Sequence, residues 1–261
     1  MKALGIAATG MGAQQLNVEV IANNIANANT TGFKAGRASF QDLMYQSIAR
    51  EGAPTSLDGT MRPVAIDIGL GVQAAGVKRL HTQGGLTQTG NDLDLAIEGR
   101  GYFVIEMPDG TEAYTRDGSF SLSPEGEIVT YDGYRLSPGI VVPENTSKIE
   151  ISNTGTVSAY TGTDTVPQEL GEITLAEFIN EAGLRAQGDN LYLESAASGP
   201  AVIGPAGEDG MGLMRQGFTE ASNVDTVKQI TDLIVAQRTY EMNSKAITTA
   251  DQMLQTINQI R

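Results

Sequence analysis

The chain has 261 residues, 40% of them hydrophobic and 5% aromatic, with no tryptophan, no cysteine and a formal net charge of −14. That length can bury a sizeable core, which must rest on aliphatic side chains, and the missing cysteine excludes disulfides and thiolate metal sites. Residues 1–40 carry three basic groups and one acidic, residues 220–261 four and five, and residues 41–219 ten and twenty-five. No basic stripe exists to displace phosphate counterions, so nucleic acid is excluded as a partner.

The first segment sets apolar or small residues at Leu4, Ala8, Met11, Val18, Ala22 and Ile25, with Gln15 filling the gap. Steps of four and three alternate, the pattern of a heptad seam. It predicts a helix, either one strand of a coiled coil or an ordinary terminal helix packed on its own domain. The short apolar run is broken by Thr9, Gly10 and Gly12 and leads into helix, so no cleavable signal peptide is read. No stretch is long and apolar enough to span a bilayer. The helix then runs into IANNIANANTTGFKAGRASF (21–40), loaded with Asn23, Asn24, Asn27 and Asn29. Asparagine is a mediocre helix former and often a terminator. These amides are expected to bond to backbone or to other amides across a dry contact, fixing register at some cost in stability; capping at the surface is the alternative. Asn29 and Gly32 are expected to take left-handed conformations where the helix stops.

Residues 41–100 read as the least regular part, an exposed, extended excursion through REGAPTSLDGTMRP. Within it Gly69-Leu70-Gly71-Val72-Gln73-Ala74 matches the dinucleotide fingerprint G-x-G-x-x-A after an apolar run. The next stretch, AGVKRLHTQGGL, is too short and too rich in glycine for the helix whose N-terminus must face a pyrophosphate. His81 is the single histidine, so a Ser-His-Asp arrangement would have to use it, and no G-x-S-x-G is present; it reads as a surface or packing residue. Asp92-Leu93-Asp94 lacks the glycine and distal glutamate of a calcium loop, and DLDLAI reads as a half-buried strand. No catalytic, cofactor or metal residues are assigned.

From Tyr102 the grammar is β: Tyr102–Met107, Thr111–Thr115, Ser119–Ser123, Glu127–Tyr131 and Tyr134–Ser137, separated by Asp-Gly and Pro-x-Gly turns. Further strands fit Lys148–Ser152, Thr156–Tyr160 and Leu191–Glu194, and residues 172–182 fit a strand and then a short helix. The last segment has no glycine or proline from Ser222 onward. Ser222 or Asn223 suits the N-cap, and Asp225 sits where the helix dipole welcomes an anion. Leu233, Ala236, Tyr240, Asn243, Ile247, Ala250, Leu254 and Ile257 alternate three and four, so one helix over 223–260 would run roughly 57 Å, too long for a small domain to wrap.

Three stretches carry a family resemblance. ANNIANANTTGFKAGRASF (22–40) resembles the N-terminal signature of bacterial flagellar rod and hook proteins, and SNVDTVKQITDLIVAQRTYEMNSKAITTADQML (222–254) resembles their C-terminal signature. LDLAIEGRGYFVIEMPDGTEAYTRDGSFSLSPEGEIVT (93–130) is similar to their shared β-domain, while residues 55–97 resemble the distal-rod members. The resemblance implies a structural subunit, not an enzyme, that polymerises into the rigid distal rod of the basal body and passes torque to the hook. It implies export through the flagellar type III apparatus to the periplasm-spanning rod. The partners it implies are further copies of the chain, proximal rod proteins, the hook protein and the ring bushing. It also implies terminal segments that order on assembly, and an insertion near Tyr45–Ala65, with Pro54 and Pro63, that separates stiff rod from flexible hook. The expected fold is α+β, with N- and C-terminal helices pairing as a coiled-coil core around a β-rich middle of antiparallel hairpins. Residues 1–35 and 220–261 are expected to form the helical core, 36–97 and 196–219 an extended connecting domain, and 98–195 an outer β domain. Self-assembly is assigned to Leu4, Met11, Val18, Asn23, Asn24, Ile25, Asn27, Asn29, Gly32, Phe33, Leu233, Tyr240, Asn243, Ile247, Leu254 and Ile257. A proximal-rod or hook subunit is the alternative within the family, and a nucleotide-binding enzyme centred on Gly69–Ala74 the alternative outside it.

Overall fold

The computed structural model describes residues 2–49, 51, 63–162, 166–208 and 210–259. The chain divides into two units. One is made of Met1–Ile25, Gly36–Lys78 and Asp225–Arg261, the other of Ala26–Ala35 and Arg79–Val224. Charge is split along the same division: the first unit holds nine basic and nine acidic residues, the second eight and twenty-two. The expected α+β class, with a β-rich middle and a helix at each end, is what forms.

The first unit contains α1 (Lys2–Ala26) and α2 (Thr226–Gln259). Two contacts relate them. Asn24 Nδ2 donates to Gln229 Oε1 at 3.1 Å, and a Cβ built on Gly10 would fall 2.9 Å from the Asn243 side-chain amide. Each contact lies fourteen residues from the other on both helices, in opposite senses, so the helices run antiparallel at a constant register. The N-cap differs from expectation: α2 starts at Thr226, and Asp225 Oδ1 accepts from the Lys228 amide at 3.1 Å. A carboxylate is the stronger acceptor at a helix N-terminus.

Residues 36–49 and 63–79 are more regular than their sequence suggests. Gly36–Asp42 pairs with Val72–Arg79, and Tyr45–Ala49 pairs antiparallel with Ile66–Gly69. Leu43 N donates to Gly71 O, and Leu70 N to Met44 O, joining the two pairs into one ribbon. The ribbon lies along α1. Gly36 meets Asn24, Val72 N donates to Thr9 Oγ1 at 3.3 Å, and Lys2 Nζ donates to Gln46 Oε1. Ten extended residues from Gly36 to Gln46 span about 33 Å, the same as the twenty-two helical residues from Asn24 back to Lys2. A lone two-stranded ribbon is marginal in water, and this backing on α1 supports it. The glycine motif at 69–74 is part of this packing. Gly71 has φ +120°, and a Cβ there would fall 2.2 Å from Thr9 Oγ1. It is a break between two stretches of the ribbon's second strand, seated on a helix flank, with no helix after it. Pro54 and the middle of the expected insertion lie outside the described residues.

The second unit is antiparallel in all its strand pairs among the described residues. Its nine-stranded sheet runs Arg185–Gly188, Leu191–Leu193, Glu112–Thr115, Tyr102–Glu106, Arg135–Leu136, Ile128–Thr130, Phe120–Leu122, with Thr174–Glu177 also on Tyr102–Glu106 and carrying Val202–Pro205. The run YFVI is apolar without alternation because both faces of its strand are covered. Phe103 and Ile105 enter one core with Leu175, Leu191 and Ala113, while Tyr102 and Val104 enter another with Ala176, Tyr192 and Tyr114. The strands expected from Tyr102 onward form within a residue or two of their boundaries, the one expected over 92–97 starts only at Leu95 and is buried rather than half-buried, and residues 172–182 give Thr174–Glu177 and then a 3-10 turn at Glu181–Gly183. Leu86–Gln88 and Leu95–Glu98 pair instead with Phe218–Glu220 and Leu213–Gln216, far along the chain, and no hairpin signal marks such pairs.

Candidate assembly interface

Helix α1 is apolar on more than one side. Its buried residues are Ala7, Ala13, Ile21 and Asn24. At 100° per residue Ala13, Ile21 and Asn24 lie about a third of a turn from the line of Leu4, Met11, Val18 and Ile25, whereas Ala7 falls on that line; its four members stay half-buried, with Ala8 and Ala22 exposed. The seam read from the sequence is therefore not the side of α1 that Gly10 and Asn24 turn toward α2. On α2 the seam is the covered side. Ala236 is buried, Leu233, Asn243, Ile247, Ala250 and Leu254 are half-buried, and Tyr240 is exposed. Ile257 is in the helix, its side chain outside the described residues. Val227, Ile230, Ile234, Val235, Met242 and Met253 remain exposed on α2. Large apolar groups left in water on so long a helix mark a surface made for burial elsewhere.

The asparagines divide by role. Asn24 is 2% exposed. Its Nδ2 donates to Gly36 O at 2.8 Å and its Oδ1 accepts from Gly36 N at 2.8 Å, in addition to the bond to Gln229. A side-chain amide thus completes the backbone pairing that the returning strand would otherwise lack at its first residue. Asn27 accepts from Thr30 Oγ1 at 3.2 Å, while Asn23 and Asn29 are exposed. Gly32 takes the expected left-handed conformation, φ +66°, and Asn29 does not. The sharp reversal falls on Gly32 because nothing larger fits: a Cβ would fall 2.6 Å from Asp117 N.

Sequence reasoning missed the most buried charges among the described residues. Phe33, buried beneath the Arg79 guanidinium, is followed by Lys34, whose Nζ lies 2.6 Å from Glu220 Oε1. Arg116 Nη1 lies 3.3 Å from Glu220 Oε2, and all three side chains are at most 3% exposed. The cations are completed by carbonyls, Lys34 Nζ donating to Thr82 O and Arg116 Nη2 to Gly99 O, while Glu220 Oε1 also accepts from Gly84 N. Arg116 Nε has no partner among the described residues. Burial holds the Lys34 pKa below the usual lysine value, against the pull of Glu220. Nearby, Asn223 accepts from Ala35 N at 2.7 Å and donates to Leu80 O and Thr82 O. The cluster ties the stretch after α1 and the stretch before α2 into the second unit. The signal in the sequence was weak: Lys34, Arg116 and Glu220 each sit close to a turn glycine and an aromatic, but nothing local pairs residues so far apart.

His81 is a packing residue, as expected: it is half-buried, sharing a 2.6 Å hydrogen bond with the Tyr102 hydroxyl and standing edge-on to Tyr192. Burial, first among the causes, raises the pKa of both Tyr102 and Tyr192 above the ordinary 10.0. A raised folded pKa means that the unfolded chain gives up its phenol protons first. The stability these tyrosines contribute is therefore present below pH 10 and lost above it. Lys34, with a lowered pKa, acts in the opposite direction up to the ordinary lysine value. We predict that Tyr102→Phe reduces the alkaline loss by about 1.4 kcal/mol per pH unit above pH 10, the slope of one proton. Urea unfolding from pH 9 to 11.5 checks this; an unchanged alkaline slope would refute it.

Comparison with known proteins covers both ends and the middle. Residues 4–34 match the family described as flagella basal body rod protein, residues 96–159 the flagellar hook protein FlgE/F/G D1 domain, and residues 215–260 the flagellar basal body rod FlgEFG protein C-terminal region. The chain is 56% identical over 261 residues, all of both chains, to the flagellar basal-body rod protein FlgG of Caulobacter vibrioides. It is 52% identical to the protein of that name in Agrobacterium fabrum over 97% of each chain. With that of Bacillus subtilis it shares 41% over 95% of this chain and 94% of the relative.

Proposed function

We propose that this chain, which belongs to the flagellar basal-body rod protein family, forms the distal rod, the stiff shaft that joins the proximal rod to the hook. It is a structural subunit of the basal body, not an enzyme. The observation that carries the reading is the pair of long terminal helices with apolar sides left over after they meet. In α1 the line Leu4–Met11–Val18–Ile25 is only half-buried, and in α2 Ile230, Ile234 and Met242 are exposed. We infer that the helices of one chain pair as an antiparallel coiled coil and that copies then nest these pairs around a common axis. A head-to-tail contact whose rotation does not close builds an open helical filament. Asn23, Asn27, Asn29, Gly32 and Phe33 shape the exit from α1 that lets copies stack.

The same reading assigns the ribbon, with the insertion at Tyr45–Ala65, to bracing adjacent subunits. Met44, Tyr45 and Ile48 are exposed along it. The acidic middle of the chain, residues 41–219 with ten basic against twenty-five acidic residues, is assigned to a hydrated surface that resists adhesion to the surrounding rings. Export through the flagellar apparatus and contacts with rod, hook and ring proteins belong to this proposal. We propose the domain division given from the sequence as the arrangement in the rod.

Ordering such helices is unfavourable until neighbours bury them. The purified monomer should therefore gain helical circular dichroism on polymerising, by up to the 59 residues of α1 and α2. The gene should restore a full-length distal rod in a strain that lacks one. Unchanged helicity on assembly, or rescue of a proximal-rod mutant instead, would overturn the assignment.

A further inference from the structure

The two contacts between α1 and α2 differ in kind, and together they select one register. At one, Gly10 leaves space where the Asn243 amide sits, 2.9 Å from the place a Cβ would take. At the other, the buried Asn24 bonds Gln229. Midway lie Asn17 and Ala236, and Ala236 is 2% exposed. The rest of the α1 side is mostly alanine and glycine, with Ile6 and Ile21 its larger members, and a face so sparse in large side chains discriminates weakly among heptad slips by packing alone. A slip of seven residues in one direction sets Asn243 against Ala3 and carries Gln229 to Asn17. In the other it sets Asn243 against Asn17 and carries Gln229 beyond the end of α1. Both slips place a Cβ where Gly10 leaves none, and both strip Asn24 of its side-chain acceptor.

We propose that Gly10 with Asn243 and Asn24 with Gln229 form a two-point register lock that admits one pairing of the terminal helices. A buried amide at a single seam position is a known way for coiled coils to fix alignment at some cost in stability; here a glycine hole on the opposite heptad provides the second point. The proposal rests on the helix pairing inferred above. It adds that polar and steric matching, not apolar contact, sets the alignment. The line through Leu4, Met11, Val18 and Ile25 then serves other copies without competing for α2.

The chain has no cysteine, so engineered pairs report register in assembled rods of the full-length protein. Asn17→Cys with Ala236→Cys closes a disulfide in the native register, and Ala13→Cys with Leu233→Cys closes one after a slip of seven. Mass on a denaturing gel separates links within a chain from links between chains. With the lock intact the native pair should dominate. Adding Gly10→Leu and Asn24→Leu should lower the ratio of native to slipped links by at least about fivefold, the factor that one net hydrogen bond supplies. Asn243→Ala in the Gly10→Leu background should recover part of the native link by reopening space. An unchanged ratio in rods that still assemble would overturn the lock and leave pairing intact. Absence of both links within a chain would overturn the pairing itself.

Discussion

Replacing Glu220 with alanine is expected to destabilise the second unit by about 3–5 kcal/mol, because it leaves Lys34 and Arg116 buried with no counter-charge. Both cations are at most 3% exposed, and Arg116 already has one unpartnered nitrogen. Neither can reach water without opening the core. Glu220→Gln, which keeps the shape and loses the charge, should fall close behind. A surface pair gives the comparison. Arg215 and Glu98 meet at 2.8 Å with about half of each side chain exposed, and Arg215→Ala should cost less than about 1 kcal/mol. The deficit of the Glu220 variant should also shrink as pH rises from neutral toward 10. Lys34 loses its proton more readily when folded than unfolded, so over that window the unfolded chain binds more protons and folding gains with pH. Urea unfolding followed by sheet circular dichroism reads all of this; a loss below about 1 kcal/mol at neutral pH would show that the cluster is not the anchor described.

The second large effect is at Gly118. A Cβ there would fall 1.6 Å from Leu95 O and 2.7 Å from its carbonyl carbon. The two residues are also bonded, Leu95 N donating to Gly118 O at 2.9 Å. Since the obstacle is backbone inside a paired strand, it cannot swing aside as a side chain can. Gly118→Ala should cost about 3 kcal/mol, the upper range for overpacking, although glycine to alanine usually helps by restricting the unfolded chain. Gly85→Ala, with nothing within 4 Å of the added carbon, serves as the control and should be neutral or slightly stabilising. Equal melting temperatures for the two variants would contradict the geometry.

How much of the fold was legible in the sequence depends on the range of each interaction. Local grammar marked both helices and the central strands: Asp-Gly turns flank Glu112–Thr115, Pro-x-Gly and Asp-Gly turns flank Ile128–Thr130, and the absence of glycine and proline marks α2. The ribbon at 36–79 was not legible. Its strands face water on much of their surface, so no alternation of apolar and polar residues records them. Val202–Pro205 and Phe218–Glu220 were hidden differently, because their partners lie elsewhere in the chain. For the assembly interface, apolar spacing gave the α2 seam but on α1 pointed to the side that α2 does not use. The α1 residues that meet α2 are Gly10 and Asn24, and hydrophobicity says little about such residues. Lys34, Arg116 and Glu220 read separately as three ordinary surface charges.

The agreement in length between ribbon and helix has an evolutionary consequence. Adding two residues between Gly36 and Gln46 would move everything beyond them by about 6.6 Å, more than one turn of α1, and Gln46 would miss Lys2. Indels in that stretch should therefore survive only in compensating pairs, whereas extra length beyond Ala49 leaves the contacts at Asn24, Thr9 and Lys2 where they are. Homologues can diversify the far end of this arm while its base stays gauged, residue for residue, against the helix beneath it.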